Sequence, residues 1–438
     1  MKKLIMLLLC LSMVAAITAC GGAGGEDGTA PPDTEPEGTE AADGGKILRV
    51  GTQFQEDSIM SIYNAAKDKY ELANPGVKVE FVLQERDLYQ SMGLPTMLDG
   101  RNSPDIYFEW SGHRLIDRMN EGYLQPIPEL SGEWGDMFFE SAFSGSTFNG
   151  QRHMVPESTD ITVMIWYNKE IFEEYHLQIP ETWSGMMAIS ETLKQEGVIP
   201  FAVGNKAFWV AGNWGSHIIC RVVGEEAYDA VLTGQADFNT PGFVKAFDYL
   251  KELGEKGYLN DDMSALTDEE ASVLFYTGEA AMHPLGNWMV ADMRENASDI
   301  FDCDYFNLPA IEGGKGDQTS IMGVTTGYVI NAKTELYDEA VAFLKVFTSR
   351  ERMVAMAGEG YLPPAPDIIT LDNADALVLK MLDETLAGTD TVIAPPDTGY
   401  NLEIADNLYF AIAKVMTGTL DSAAVLAELD EAVAHLRS

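Results

Sequence analysis

The strongest constraint on this chain is the alternation it shows between residues 46 and 110. The run KILRVGTQF (46–54) reads as a strand. Ile59, Ile62, Ala66 and Tyr70 then recur at helical spacing, and Asn74-Pro75-Gly76 stops that helix. VKVEFVL (77–83) alternates as a strand should, Leu88 to Leu98 reads as a helix, and SPDIYFEW (103–110) is a third strand. Parallel neighbours need a crossover long enough to hold a helix, so this order predicts an α/β fold with a largely parallel sheet. In such sheets ligands sit beyond the carboxyl ends of strands. That rule places Phe54–Asp57, with Gln55 and Glu56 (in QFQED, 53–57), and Glu109–His113, with Glu109 and Trp110 (in EWSGHR, 109–114), at a candidate site.

The pattern continues downstream. β-rich runs surround Met154 and Val163–Tyr167, and a helix begins near Lys169. Thr182 is a plausible N-cap for the amphipathic stretch that follows PETW. IPFAVG, GEAAMHPL, DCDYF and TTGYVI read as strands. Helices are predicted over 225–233, 241–256, 268–276, 336–347, 350–358, 374–386, 402–417 and 421–436.

Ahead of the folded part, Lys2 and Lys3 precede an apolar run ending in Ile17-Thr18-Ala19-Cys20. That order is a secretory signal peptide, and the run is shorter than the roughly 18 apolar residues a spanning helix needs. ITAC resembles the bacterial lipoprotein box, with isoleucine where leucine is commoner. The resemblance implies a signal peptide over 1–19 and lipidation of Cys20. In the segment 20–45 everything after Cys20 is glycine, proline, threonine, alanine or an acid, without an aromatic or large aliphatic side chain before Lys46. Nothing there offsets the entropy of ordering, so the segment is expected to be a flexible leash.

The formal charge is −41, and losing Lys2 and Lys3 with the signal makes it more negative. Such a field disfavours nucleic acid and anionic headgroups. Once Cys10 and Cys20 are set aside, only Cys220 and Cys303 remain, and both a disulfide and two buried thiols are open. The six histidines show no HxH, HxxxH or HExxH spacing, so no metal site or cofactor is expected.

SPDIYFEW, WYNKEIFEEYHLQIPETW, YTGEAAMHPLGNWM and TTGYVINAKTELYDEAVAFLKVFTSRE together resemble the extracellular solute-binding proteins of sugar ABC transporters, the maltodextrin-binding-protein-like group. The resemblance covers essentially all of 46–438. It implies a two-lobed, periplasmic-binding-protein-like (type II) α/β fold whose lobes close on a ligand at a hinge. Lobe 1 would be 46–157 plus 310–360, and lobe 2 would be 158–306 plus 366–438. Crossings would fall near Pro156–Asp160, Leu308–Ile311 and Tyr361–Pro366. It also implies a monomer outside the cytoplasm, lipid-anchored to the membrane's outer face. That monomer would deliver a sugar to a permease and would be no enzyme.

A sugar presents hydroxyls and an apolar C–H face, so its cleft should mix aromatic rings with hydrogen-bonding groups. Such mixtures occur at QFQED, EWSGHR, ESTD (157–160), FWVAGNW (208–214), GNW (286–288) and PPDTGYN (395–401). The candidate ligand contacts are Gln55, Glu56, Glu109, Trp110, Asp160, Trp209, Trp288 and Tyr400. Asn401 also reads as an N-cap, and Trp183 as core. Two rivals remain. Glu109 and Asp160 could be the paired carboxylates of a glycosidase. Alternatively, the same fold could receive a polyamine, a metal complex or a phosphate ester.

Overall fold

The computed structural model describes residues 45–437 apart from positions 129, 131, 299 and 371. The signal segment, Cys20 and the leash up to residue 44 lie outside the described residues.

In the first sheet, Lys46–Thr52 lies between Val77–Leu83 and Ile106–Trp110 and runs parallel to both. The crossover helix Asp57–Ala73 buries Ile59, Tyr63, Ala66 and Tyr70, the four- and three-residue steps of one helical face. Ile321–Asn331 then joins antiparallel to Ile106–Trp110. The TTGYVI stretch is therefore part of an eleven-residue strand rather than a short one. Its other edge pairs with Met154–Ile161, and its start pairs with the short strand Val392–Ile393.

The pairing of Met154–Ile161 with Ile321–Asn331 slips between Thr326 and Gly327, whose partners are Ser158 and Pro156. Glu157 is the extra residue of a β-bulge, beside a proline that has no N–H to donate. Its carboxylate turns into the first lobe's core, accepting from the Tyr63 hydroxyl at 2.9 Å and pairing with Arg352. The Arg352 guanidinium sits 4.2 Å from the Phe347 ring centroid. Beyond the bulge, Ser158, Asp160 and Thr162 alternate onto one face, as extended backbone requires.

Two residues past that strand the chain enters the second sheet. Met164–Asn168 lies between Cys303–Phe306 and Ala280–Leu285, antiparallel to both, and Ile199–Phe201 pairs parallel to Ala280–Leu285. Helix Trp209–Val223 is buried almost throughout. It crosses helix Leu402–Val415 so closely that a Cβ on Gly212 would lie 2.4 Å from the Tyr409 ring, and one on Gly215 2.7 Å from Ile412. Only glycine permits that approach.

The expected helices are present, two with changed geometry. Residues 86–99 contain a π-helical stretch at Tyr89–Gly93, and residues 376–386 contain one at Met381–Leu386. Cys220 and Cys303 are buried free thiols, which settles the cysteine alternatives against a disulfide. Among the described residues, no helix is long and apolar enough to cross a membrane.

Candidate functional site

Between the two sheets lies a cleft with about 710 Å³ of empty space, its open mouth included. Gln53 and Phe54 enter it just beyond the first strand, and Trp110 at the end of the third. Ser158, Asp160, Thr162 and Val324 come from the paired crossing strands. The second lobe supplies Trp209, Asn213 and Trp288, and the segments after residue 355 supply Met356, Tyr361 and Asp397.

The GNW stretch shows how the sequence builds one wall. A Cβ on Gly286 would lie 2.0 Å from the Trp288 ring, so the glycine makes room for the indole to fold back. Asn287 clamps the hinge strand: its Oδ1 accepts from the Ile161 N–H at 3.0 Å, and its Nδ2 donates to the Thr159 carbonyl at 3.0 Å. The Trp288 ring then lies 5.7 Å from the Trp209 ring, and its buried Nε1 has no hydrogen-bond partner. Gln53 Oε1 is likewise buried and unpaired. Phe54 is held edge-on by Phe108 at 5.1 Å and Tyr361 at 6.2 Å.

The cleft's charges are dominated by carboxylates. Burial pushes the Asp160 carboxyl up to about 7; the Glu157 charge adds to this, while the Ser158 hydroxyl and Arg86 oppose it. Part of Asp160's surface faces the cleft, which opens to solvent at its mouth. Asp397 is also pushed up by burial, against the opposing charge of Arg114. Among the described residues the cation lining the cleft is Arg86, and it is already engaged. Its guanidinium lies 3.2 Å from Glu56 and 3.1 Å from Asp268. The second contact bridges the lobes, as does the 3.3 Å bond from the Asp57 N–H to Glu295.

The cleft thus brings together Trp110, Asp160, Trp209 and Trp288, with Glu56 one step behind on Arg86. Three expected contacts lie elsewhere. Gln55 is exposed to solvent, its N–H bonded to the Glu56 carboxylate at 2.9 Å. Glu109 occupies the opposite face of its strand from Trp110, fully buried and 3.0 Å from Arg118. That position also removes it from any carboxylate pair with Asp160. Tyr400 donates to Asp229 and packs edge-on against Tyr228 at 6.1 Å. Trp183 is core, 2% exposed.

Phe54, expected beyond the first strand, lines the cleft, whereas Gln53, Asn213 and Asp397 line it from stretches in which other residues are the named candidates. Arg86 and Tyr361 lay outside those stretches, although Arg86 follows a strand's carboxyl end, where a lining residue is expected. Among the described residues, no group of three or more His, Cys, Asp or Glu is placed to hold a metal.

Comparison with known proteins fits this architecture. The sequence profile of the bacterial extracellular solute-binding proteins matches residues 55–354. An ABC transporter extracellular-binding protein of Pyrococcus horikoshii is 28% identical over 66% of this chain and 64% of its own length. The sn-glycerol-3-phosphate-binding periplasmic protein of Pectobacterium atrosepticum is 26% identical over 62% of this chain and 63% of its own. The match therefore spans a little under two thirds of either relative. A solved chitin oligosaccharide binding protein superposes with a TM-score of 0.81 at 23% identity, over 90% of this chain and 99% of that one, which shows the shared fold. The chain belongs to the bacterial extracellular solute-binding protein family.

Proposed function

We propose that this protein captures a sugar or short oligosaccharide in the cleft between its lobes and delivers it to an ABC importer. The family is extracellular and non-catalytic. One observation carries the sugar reading: aromatic rings from both lobes converge on a cleft whose lining side chains Gln53 and Trp288 each keep a buried polar atom, Oε1 and Nε1, without a partner. Rings suit the apolar face of a pyranose, and the polar atoms suit its hydroxyls. The four residues Trp110, Asp160, Trp209 and Trp288 are the proposed contacts, with Glu56 acting through Arg86. The lobes are taken as 46–157 plus 310–360 and 158–306 plus 366–438. One amendment concerns 310–316, which bonds to Trp183, Arg221 and Val222 and moves with lobe 2. Cys20 is the proposed lipid anchor, holding the protein at the membrane's outer face through the leash.

A polyamine is the second reading, favoured by Asp160 and Asp397 in the lining. A thermal-shift panel of oligosaccharides and polyamines tests both, since a ligand of the folded state raises Tm. Stabilisation by a saccharide, with no product formed, is expected. Stabilisation by spermidine alone would replace the sugar reading.

A further inference from the structure

The cleft's polar groups are unbalanced. Its lining holds the carboxylates of Asp160 and Asp397, the latter accepting from the Tyr409 hydroxyl at 3.0 Å with Arg114 4.0 Å away, and Gln53, a side chain nine-tenths buried whose Oε1 is without a partner. The one lining cation among the described residues, Arg86, is held by Glu56 and Asp268, with Glu269 at 3.9 Å. Arg114, which stacks on Trp110 at 4.9 Å, gives its Nε–H to the Asp397 carbonyl at 3.0 Å. A hydroxyl can donate to Gln53 and accept from the Trp288 N–H; a phosphate dianion or a carboxylate can only accept. An anion would also meet carboxylates in a confined, partly buried cleft, where like charges repel more than they do in bulk water.

Resting on the sugar reading, we propose that the cleft selects uncharged saccharides and rejects those carrying phosphate, sulfate or uronate, with Asp160 enforcing the choice. The charged groups that act on Asp160 are Glu157 on its own strand, whose carboxylate lies on the core side with Tyr63 and Arg352, and Arg86 after Val77–Leu83; Asp397 lines the same cleft. Burial pushes the Asp160 carboxyl up to about 7, so an anion entering beside it favours the protonated form.

The experiment is calorimetric titration of the purified protein with neutral di- and trisaccharides, their 6-phosphates and their uronic acid counterparts, at pH 5.5 and 8.5. At pH 8.5 each anion should bind at least about thirtyfold more weakly than its neutral parent. In Asp160→Asn the gap should shrink to about threefold. The uronate gap in wild type should narrow at pH 5.5, and this pH dependence should vanish in the variant. Glu56→Gln, which leaves Asp160 in place and relieves one carboxylate on Arg86, should narrow the gap less. An anion that equals its neutral parent, or a gap unchanged in a folded Asp160→Asn, overturns the filter while leaving the sugar reading intact. Binding of sn-glycerol 3-phosphate at pH 8.5 does the same. Failure of every saccharide, neutral or charged, removes the sugar reading and the filter with it.

Discussion

Trp288 and Asp160 are the residues whose replacement is most informative. The Trp288 indole is part-buried against Trp209, yet its Nε1 is unpaired and its ring borders the cleft. Stacking adds about 0.5–1.5 kcal/mol beyond area burial. With the buried area included, Trp288→Ala should weaken saccharide binding roughly thirtyfold. The melting temperature should fall little, because Asn287 rather than the ring ties this loop to the hinge strand. A collapsed Tm with near-native affinity would assign the ring to the core. Asp160 is a carboxyl raised from 3.8 to about 7. The native state therefore holds a proton that the unfolded chain has released between those values, so Asp160 costs stability as pH rises through that window. Asp160→Asn should raise Tm more at pH 8 than at pH 4.5 in ligand-free protein, as differential scanning calorimetry would show. An equal effect at both pH values would contradict the shift.

At the scale of elements, the bulge at Glu157 decides how one strand serves two environments. It turns Glu157 into the aromatic core and sets Ser158 and Asp160 on the cleft face. Arg352→Met should leave that carboxylate buried without its cation, at a cost of about 3–5 kcal/mol in urea unfolding. The double variant Glu157→Gln/Arg352→Met should recover part of the loss. Local features of this kind were legible in the sequence. The caps at Thr182 and Asn401 form as read, with Thr182 Oγ1 accepting from the Gly185 N–H at 3.2 Å and Asn401 Oδ1 from the Glu403 N–H at 3.0 Å. Trp288 after Gly-Asn was legible for the same reason, since its geometry is set by its two neighbours. Glu109 and Trp110 had to face opposite ways on a strand, but alternation does not say which face is the cleft. Arg86 was illegible because its partner Asp268 lies 182 residues away. Tyr400 misled because its hydroxyl's partner, Asp229, belongs to a distant helix.

For the whole molecule, the chain passes between the sheets on paired strands, and Arg86–Asp268 and Asp57–Glu295 join the lobes across the cleft. Ligand favours closure only through contacts missing from the open form. Small-angle scattering should show a smaller radius of gyration with saturating saccharide, and Asp268→Asn should raise the ligand-free value. No change in either would argue against hinge closure. Cys20→Ala should release the protein from cells into the medium. Equal release of the wild type, with no lipid seen by mass spectrometry, would remove the anchor.

The two indoles at the second lobe's wall also give this protein an optical property. Chromophores whose ring centres are 5.7 Å apart, tilted at 52°, are close enough to share excitation. Such a pair should produce a split dichroism band in the far ultraviolet, where the indole transitions are strongest. A pyranose seated against them would expel water from one face and move their emission toward the blue. Occupancy of this receptor could then be read without a label, from the light it already absorbs.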